Sequence, residues 1–79
     1  LGMVFYKLKD FQNSINYYEK AIQIDSNNVH AYNNLGNSLK GLERTKEAVD
    51  CYKKAIEIDS NYIKAHKNLG IAFYKDRKS

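Results

Sequence analysis

Apolar residues recur at helical spacing in two stretches near the centre of the chain. The first stretch has them four, four and three residues apart, at Ala31, Leu35, Leu39 and Leu42. After a short polar break the same spacing returns at Ala48, Cys51/Tyr52, Ala55 and Ile58. A stripe of this period places the apolar side chains on one face of a helix. The pattern therefore predicts two amphipathic helices.

Short segments rich in turn-forming residues separate the apolar stretches. Gly41 can relax the end of the first central helix, and Thr45 is a candidate N-cap for the second. The tetrads at 25–28 and 59–62 are turn-formers, and Asn28 or Asn61 can cap the helix that follows. We predict an all-α chain of antiparallel neighbours, with helices near 1–8, 11–24, 29–41, 45–58 and 63–75.

The chain repeats itself at an offset of 34 residues. Leu1-Gly2 falls on Leu35-Gly36 and again on Leu69-Gly70, and eleven of the first 28 residues are identical to their counterparts. Internal periods of this length indicate a repeat architecture in which each unit covers its neighbour. We predict about two and a third copies: a partial copy at 1–28, a full copy at 29–62 and a first helix at 63–79.

The period and the helix–turn–helix pattern resemble the tetratricopeptide repeat (TPR) family. The family's signature positions are occupied in the central copy by Tyr32, Leu35, Gly36, Leu39, Ala48, Tyr52 and Ala55. The resemblance implies an α-solenoid of antiparallel hairpins that acts as a protein–protein interaction scaffold. Gly36 and Ala48 lack bulk and let the two helices of a hairpin approach closely, while Tyr52 fills the seam between them.

Composition narrows the classes of partner. The net charge is +4, but lysines outnumber arginines eleven to two and are spread along the chain, which argues against nucleic acid as the ligand. No apolar stretch approaches the roughly 20 residues that a membrane helix needs. Because Cys51 is the sole cysteine, we expect an intracellular, cytoplasmic or nuclear location. The chain opens inside an apolar pattern at Leu1, so we expect a segment of a longer protein.

Residues for catalysis or metal binding are scarce. His30 and His66 have no helical partner that would complete a ligand pair, so we predict neither a metal site nor a cofactor. His66 is interpreted as a packing substitute for an aromatic residue, and His30 as an exposed residue of the binding face. Cys51 has no adjacent base and is interpreted as an inert thiol. We predict that this segment is not an enzyme.

The resemblance also implies a binding face, because the first helices of TPR hairpins line a concave groove. Asparagines there can donate to and accept from the backbone of an extended peptide, and lysines attract acidic groups. Asn34 and Asn68 are equally interpretable as generic soluble residues of the repeat. The predicted peptide-binding residues are Asn33, Asn34, Asn37, Lys40, Lys64, Lys67 and Asn68.

Other functions stay open at this point. The run 31–40 resembles the repeat region of O-linked N-acetylglucosaminyltransferases, which would make the chain a substrate-recognition arm of such an enzyme. The match to carboxylate-binding co-chaperone repeats is partial, since Asn33 and Asn68 stand where basic residues are wanted. A structural spacer is the third reading. We also expect the isolated segment to self-associate through Leu69 and Phe73, which lack a covering helix.

Overall fold

The chain folds into four α-helices joined by short turns. A computed structural model describes the backbone of residues 2–78 and the side chains of residues 10–75 and 77. The helices are α1 (Gly2–Ile24), α2 (Val29–Gly41), α3 (Thr45–Ile58) and α4 (Ile63–Lys78). Each packs against the next along the chain, and α2 also touches α4. Residues 2–78 contain no strand, which confirms the predicted all-α solenoid.

The hairpin of α2 and α3 is closed by the residues that the repeat pattern selected. Ala48, Tyr52 and Ala55 are fully buried. The Tyr52 ring lies against Gly36, where an added Cβ would come within 2.6 Å of the ring carbon Cε1. The predicted close approach of the two helices at Gly36 is therefore confirmed.

Helix starts and ends follow the sequence in one place and depart from it in another. Asn28 caps α2 as predicted, since its Oδ1 accepts from the Ala31 N–H at 3.1 Å. Thr45, however, is the first residue inside α3, and Arg44 holds the N-cap position without a side-chain cap bond. The predicted Thr45 cap is wrong because Arg44 instead pairs with Glu47, Nη2 to Oε2, at 2.6 Å across the first turn.

Gly41 is required by close packing and not, as predicted, by the end of the helix. The residue with positive φ in the α2–α3 turn is Glu43, at 62°. A Cβ on Gly41 would lie 2.5 Å from carbons of the Phe11 ring. The glycine is required for the close packing of α1 on α2, and it does not supply the left-handed turn.

The first copy differs most from prediction. Helices near 1–8 and 11–24 were expected to form a hairpin, but α1 runs without a break from Gly2 to Ile24. The segment Lys7-Leu8-Lys9-Asp10 stands where the second copy has Gly41-Leu42-Glu43-Arg44. Because the first copy has no glycine there and its residues tolerate helical geometry, the backbone continues as a helix. Leu1 lies outside the described residues.

The apolar core lies among α1, α2 and α3, and Ala72 of α4 belongs to it. Ile15, Leu35, Leu39, Val49 and Tyr52 belong to one buried cluster, and Tyr18 and Leu69 pack against its edges. On α4, Ala65 and Ala72 are fully buried. Within the described part of the chain, every helix is too short or too polar to cross a lipid bilayer.

Candidate functional site

Two asparagines join the first helices of successive copies. Asn68 on α4 donates from Nδ2 to Oδ1 of Asn33 on α2 at 3.0 Å. Asn33 is only 2% exposed, so this bond satisfies an amide oxygen that water cannot reach. The structure thus brings these two predicted binding residues together and places them in a contact that fixes α4 against α2.

The other asparagines of α2 lie nearer the surface. Asn37 is half-buried, and its Oδ1 accepts a hydrogen bond from the Tyr52 hydroxyl at 2.5 Å. Because the oxygen is engaged, the amide group of Asn37 has its N–H donors left to offer. Asn34 is also half-buried. Of the asparagines predicted to bind peptide, Asn33 is therefore buried, whereas Asn34, Asn37 and Asn68 are half-buried.

Two lysines face each other farther along the same helices. Lys40 lies seven residues after Asn33 and Lys75 seven after Asn68, which places both about 10 Å beyond the amide pair. Burial lowers the pKa of Lys40, and the positive charge of Lys75 lowers it further. Lys75 was not among the seven residues predicted to bind peptide, although it occupies one of the groove positions that the resemblance implies. The spacing of the amide pair could have indicated Lys75, since Lys40 and Lys75 have the same separation along the chain as Asn33 and Asn68.

The predicted lysines of α4 lie on its surface. Lys64 and Lys67 are both exposed. We refer to the surface formed by these residues and their neighbours on the two helices as the α2–α4 face. Its members are Asn34, Asn37 and Lys40 on α2, and Lys64, Lys67, Ile71 and Lys75 on α4.

Charge is sorted between the first and second helices. The sequences of α2 and α4 together contain six lysines and arginines and a single carboxylate, Asp76. In α3, three lysines are balanced by Glu47, Asp50 and Glu57. The side chains of residues 1–9, which include the predicted groove positions of the first copy, lie outside the described set. On the described residues, the positive charge collects on α2 and α4.

Both histidines take part in contacts that fix turns. His30 Nδ1 lies 2.8 Å from the Tyr62 hydroxyl, and the two rings meet edge to face. His66 Nε2 donates to the Ser60 carbonyl at 2.7 Å. The interpretation of His66 as a packing substitute is wrong, because its ring is exposed and closes the turn before α4. Sequence reasoning missed the His30–Tyr62 contact, which joins α2 to that turn.

The single cysteine is a poor nucleophile. Burial raises the pKa of Cys51 to about 11, and the carboxylates of Asp50, Glu47 and Glu19 act in the same direction. A thiol with such a pKa is almost wholly protonated at neutral pH. Among the described residues, no group of three or more His, Cys, Asp or Glu side chains is placed to hold a metal ion.

These features define a helical repeat scaffold. Comparison with protein families gives the particular class. A family model described as tetratricopeptide repeat matches residues 29–62. A second, described as TPR repeat, matches residues 2–43, more than half of the chain. The chain belongs to the tetratricopeptide repeat family.

Membership of this family has a general consequence for function. TPR repeats mediate protein–protein interaction and are typically non-catalytic scaffolds. No curated protein matches the chain. The family matches do not bear on the resemblance to O-linked N-acetylglucosaminyltransferases, which stays a prediction.

Proposed function

We propose that the α2–α4 face binds an extended, acidic peptide segment of a partner protein. The observation that supports this most directly is the Lys40–Lys75 pair. Burial and the neighbouring lysine both disfavour the charged form of Lys40. A carboxylate placed between the two ammonium groups relieves that repulsion, so an acidic peptide gains more here than at an isolated surface lysine.

The half-buried amides of the face suit a peptide in extended conformation. Such a peptide presents alternating backbone N–H and C=O groups, and an asparagine side chain can serve both. Asn34 offers a donor and an acceptor, whereas Asn37 offers donors, since its oxygen accepts from Tyr52. Lys64 and Lys67 then add a longer-range attraction that is sensitive to salt. Asn33 and Asn68 support the face by fixing the distance between its two helices.

The proposal is tested by titrating three peptides of equal length that differ in charge. At low salt the acidic peptide should bind more tightly than the neutral one, and the basic peptide should bind least. Raising the ionic strength should weaken the acidic peptide most, because the interaction depends on exposed charges. Equal affinities for the acidic and basic peptides would remove the support for an acidic ligand.

Charge variants locate the site. Lys40→Gln and Lys75→Gln should each weaken the acidic peptide roughly three- to tenfold, the effect expected of one partly exposed charge. Lys20→Gln on α1 makes the same change in net charge at an exposed position away from the face, and serves as the matched control. Loss of affinity of the same size in all three variants would mean that only the net charge matters. Asn34→Ala should weaken all peptides alike, since backbone contacts do not depend on peptide sequence.

A further inference from the structure

The surface that receives α3 occurs again one period later. A cleft along α3 is lined from the side of α1 and α2 by Gln12, Ile15 and Leu39, among others. Their counterparts 34 residues later are Lys46, Val49 and Phe73, which together line a cleft between α3 and α4. We call this second surface the α4 cleft. None of the described helices lies on it as α3 lies on the first, and Phe73 is 44% exposed.

The glycines of the two surfaces differ in what lies opposite them. A Cβ on Gly36 would lie 2.6 Å from the Tyr52 ring, whereas a Cβ on its counterpart Gly70 would meet nothing within 4 Å. The α4 cleft therefore has room for an aromatic side chain delivered by a helix packed as α3 is. That helix needs small residues four before and three after the aromatic residue, as Ala48 and Ala55 flank Tyr52.

A helix with these properties is present at the other end of the same chain. Ser14, Tyr18 and Ala21 of α1 are the counterparts of Ala48, Tyr52 and Ala55. The three residues on α3 are fully buried, but the three on α1 are only half-buried. The cause is the straight course of α1, which leaves 11–24 without the antiparallel partner that α2 gives to α3.

We propose that the α4 cleft of one chain binds residues 10–24 of α1 from a second copy of this chain. Tyr18 of the second copy then packs on Gly70 as Tyr52 packs on Gly36. The contact is head-to-tail, since it joins two different surfaces. On α4 the contact is centred on Gly70 and Phe73 and not on Lys64 or Lys75 of the α2–α4 face, and it does not depend on the proposed peptide binding.

Charge complementarity supports this pairing and its register. The hydrogen bonds that Arg44 donates to Glu47 raise the pKa of its guanidinium most, and Glu19, which lines the same cleft from the side of α1, raises it further. The corresponding pair in the proposed interface is Lys53 of one chain and Asp10 of the other. Both signs are reversed, so the attraction is kept. Lys53 lies at the α4 cleft, with its Nζ 5.6 Å from the centre of the Phe73 ring.

The sharpest test is Gly70→Ala in the 79-residue chain. Within one chain the new methyl group meets nothing, and alanine favours the helix, so the variant should melt at the same temperature as the wild type or higher. In the interface the methyl group would clash with Tyr18. Sedimentation equilibrium over a hundredfold concentration range should show the wild type associating and the variant on the order of tenfold weaker or more. A monomeric wild type, or a variant that associates equally well, overturns the proposal.

A charge exchange tests the register separately. Asp10→Lys and Lys53→Glu should each weaken association roughly five- to tenfold, because each places like charges opposite one another. The double variant should recover most of the wild-type affinity, since the attraction is restored with the signs exchanged. Association that is unaffected by the single changes would show that these helices do not meet in this register. So would a double variant whose loss of affinity equals the two single losses combined.

Discussion

The ring of Tyr52 occupies the space that a side chain on Gly36 would need. An added Cβ would lie between 2.6 and 2.9 Å from three atoms of the ring, which is fully buried and hydrogen-bonded to Asn37. Gly36→Ala should therefore lower the free energy of unfolding by about 1–2 kcal/mol. Overpacking outweighs the gain of about 1 kcal/mol in helix propensity. Urea unfolding followed by circular dichroism measures the difference.

Gly70→Ala is the matched control for that variant. The substitution is chemically the same, and its position differs by one period, but the new methyl group faces open space. Stability measured at concentrations where the chain is monomeric should be unchanged or rise by up to about 1 kcal/mol. If both alanines destabilise equally, the loss at Gly36 does not come from the Tyr52 contact.

The Asn33–Asn68 hydrogen bond should contribute measurably to stability. Asn68→Ala leaves the buried amide oxygen of Asn33 without its partner, at a cost of about 1–3 kcal/mol in the free energy of unfolding. Replacing both asparagines by alanine should cost less than the sum of the two single changes, because no unpaired group remains. Asn34→Ala, at a half-buried position nearby, is the control. Strict additivity in the cycle would show that the two amides are not coupled.

Glycine should have opposite effects at two corresponding positions. Glu43 adopts a φ of 62°, which glycine reaches without strain, so Glu43→Gly should stabilise the chain by about 0.5–1 kcal/mol. Its counterpart Lys9 lies within the continuous α1, where glycine costs about 1 kcal/mol. Thermal unfolding of the two variants shows whether each substitution raises or lowers the stability of the chain. A stabilising Lys9→Gly would indicate that the first copy forms the hairpin expected from its sequence.

Cys51 should react slowly and should make stability depend on alkaline pH. With its pKa raised from 9.0 to about 11, the thiolate fraction at pH 8 is roughly a hundredfold below that of a free thiol. A thiol reagent should therefore modify the native chain far more slowly than the chain in urea. A raised folded pKa favours folding below pH 9, and that contribution is lost as the pH rises towards 11. Cys51→Ser should remove the part of this loss that comes from the thiol and leave the part from Tyr52, whose pKa burial raises to about 12. Equally fast labelling of native and unfolded chain would contradict the burial.

Sequence reasoning predicted the elements that local signals determine. The 34-residue period identified Gly36, Ala48 and Tyr52 as the seam of the hairpin because packing repeats with sequence. Asn28 was predicted as a cap from its position alone. Features that depend on distant atoms were not accessible in this way. The need for glycine at position 41 comes from the Phe11 ring, which belongs to another copy. The continuous α1 arises where residues 7–10 lack the glycine that the second copy has at position 41.

The candidate site was predictable in part for the same reason. The resemblance to the repeat family implied a groove along the first helices, and the positions it implied carry lysines and asparagines on α2 and α4. Which amide groups remain accessible depends on the hydrogen bonds that the asparagine side chains form with residues of other helices. The buried Asn33 accepts a hydrogen bond from the half-buried Asn68, and Asn37 accepts one from the Tyr52 hydroxyl, pairings that the sequence does not specify. The effect of the Lys75 charge on the pKa of Lys40 is likewise not specified by the sequence.

The unequal sharing of charge between helices also gives the molecule an electric dipole moment. Its positive end lies on the side of α2 and α4, while α3 carries equal numbers of both signs. A body of this kind does not meet a negatively charged surface at random angles, because the field rotates it during approach. On a cation-exchange matrix, or against an acidic partner, the chain should arrive with α2 and α4 foremost, so orientation is partly set before any specific contact forms.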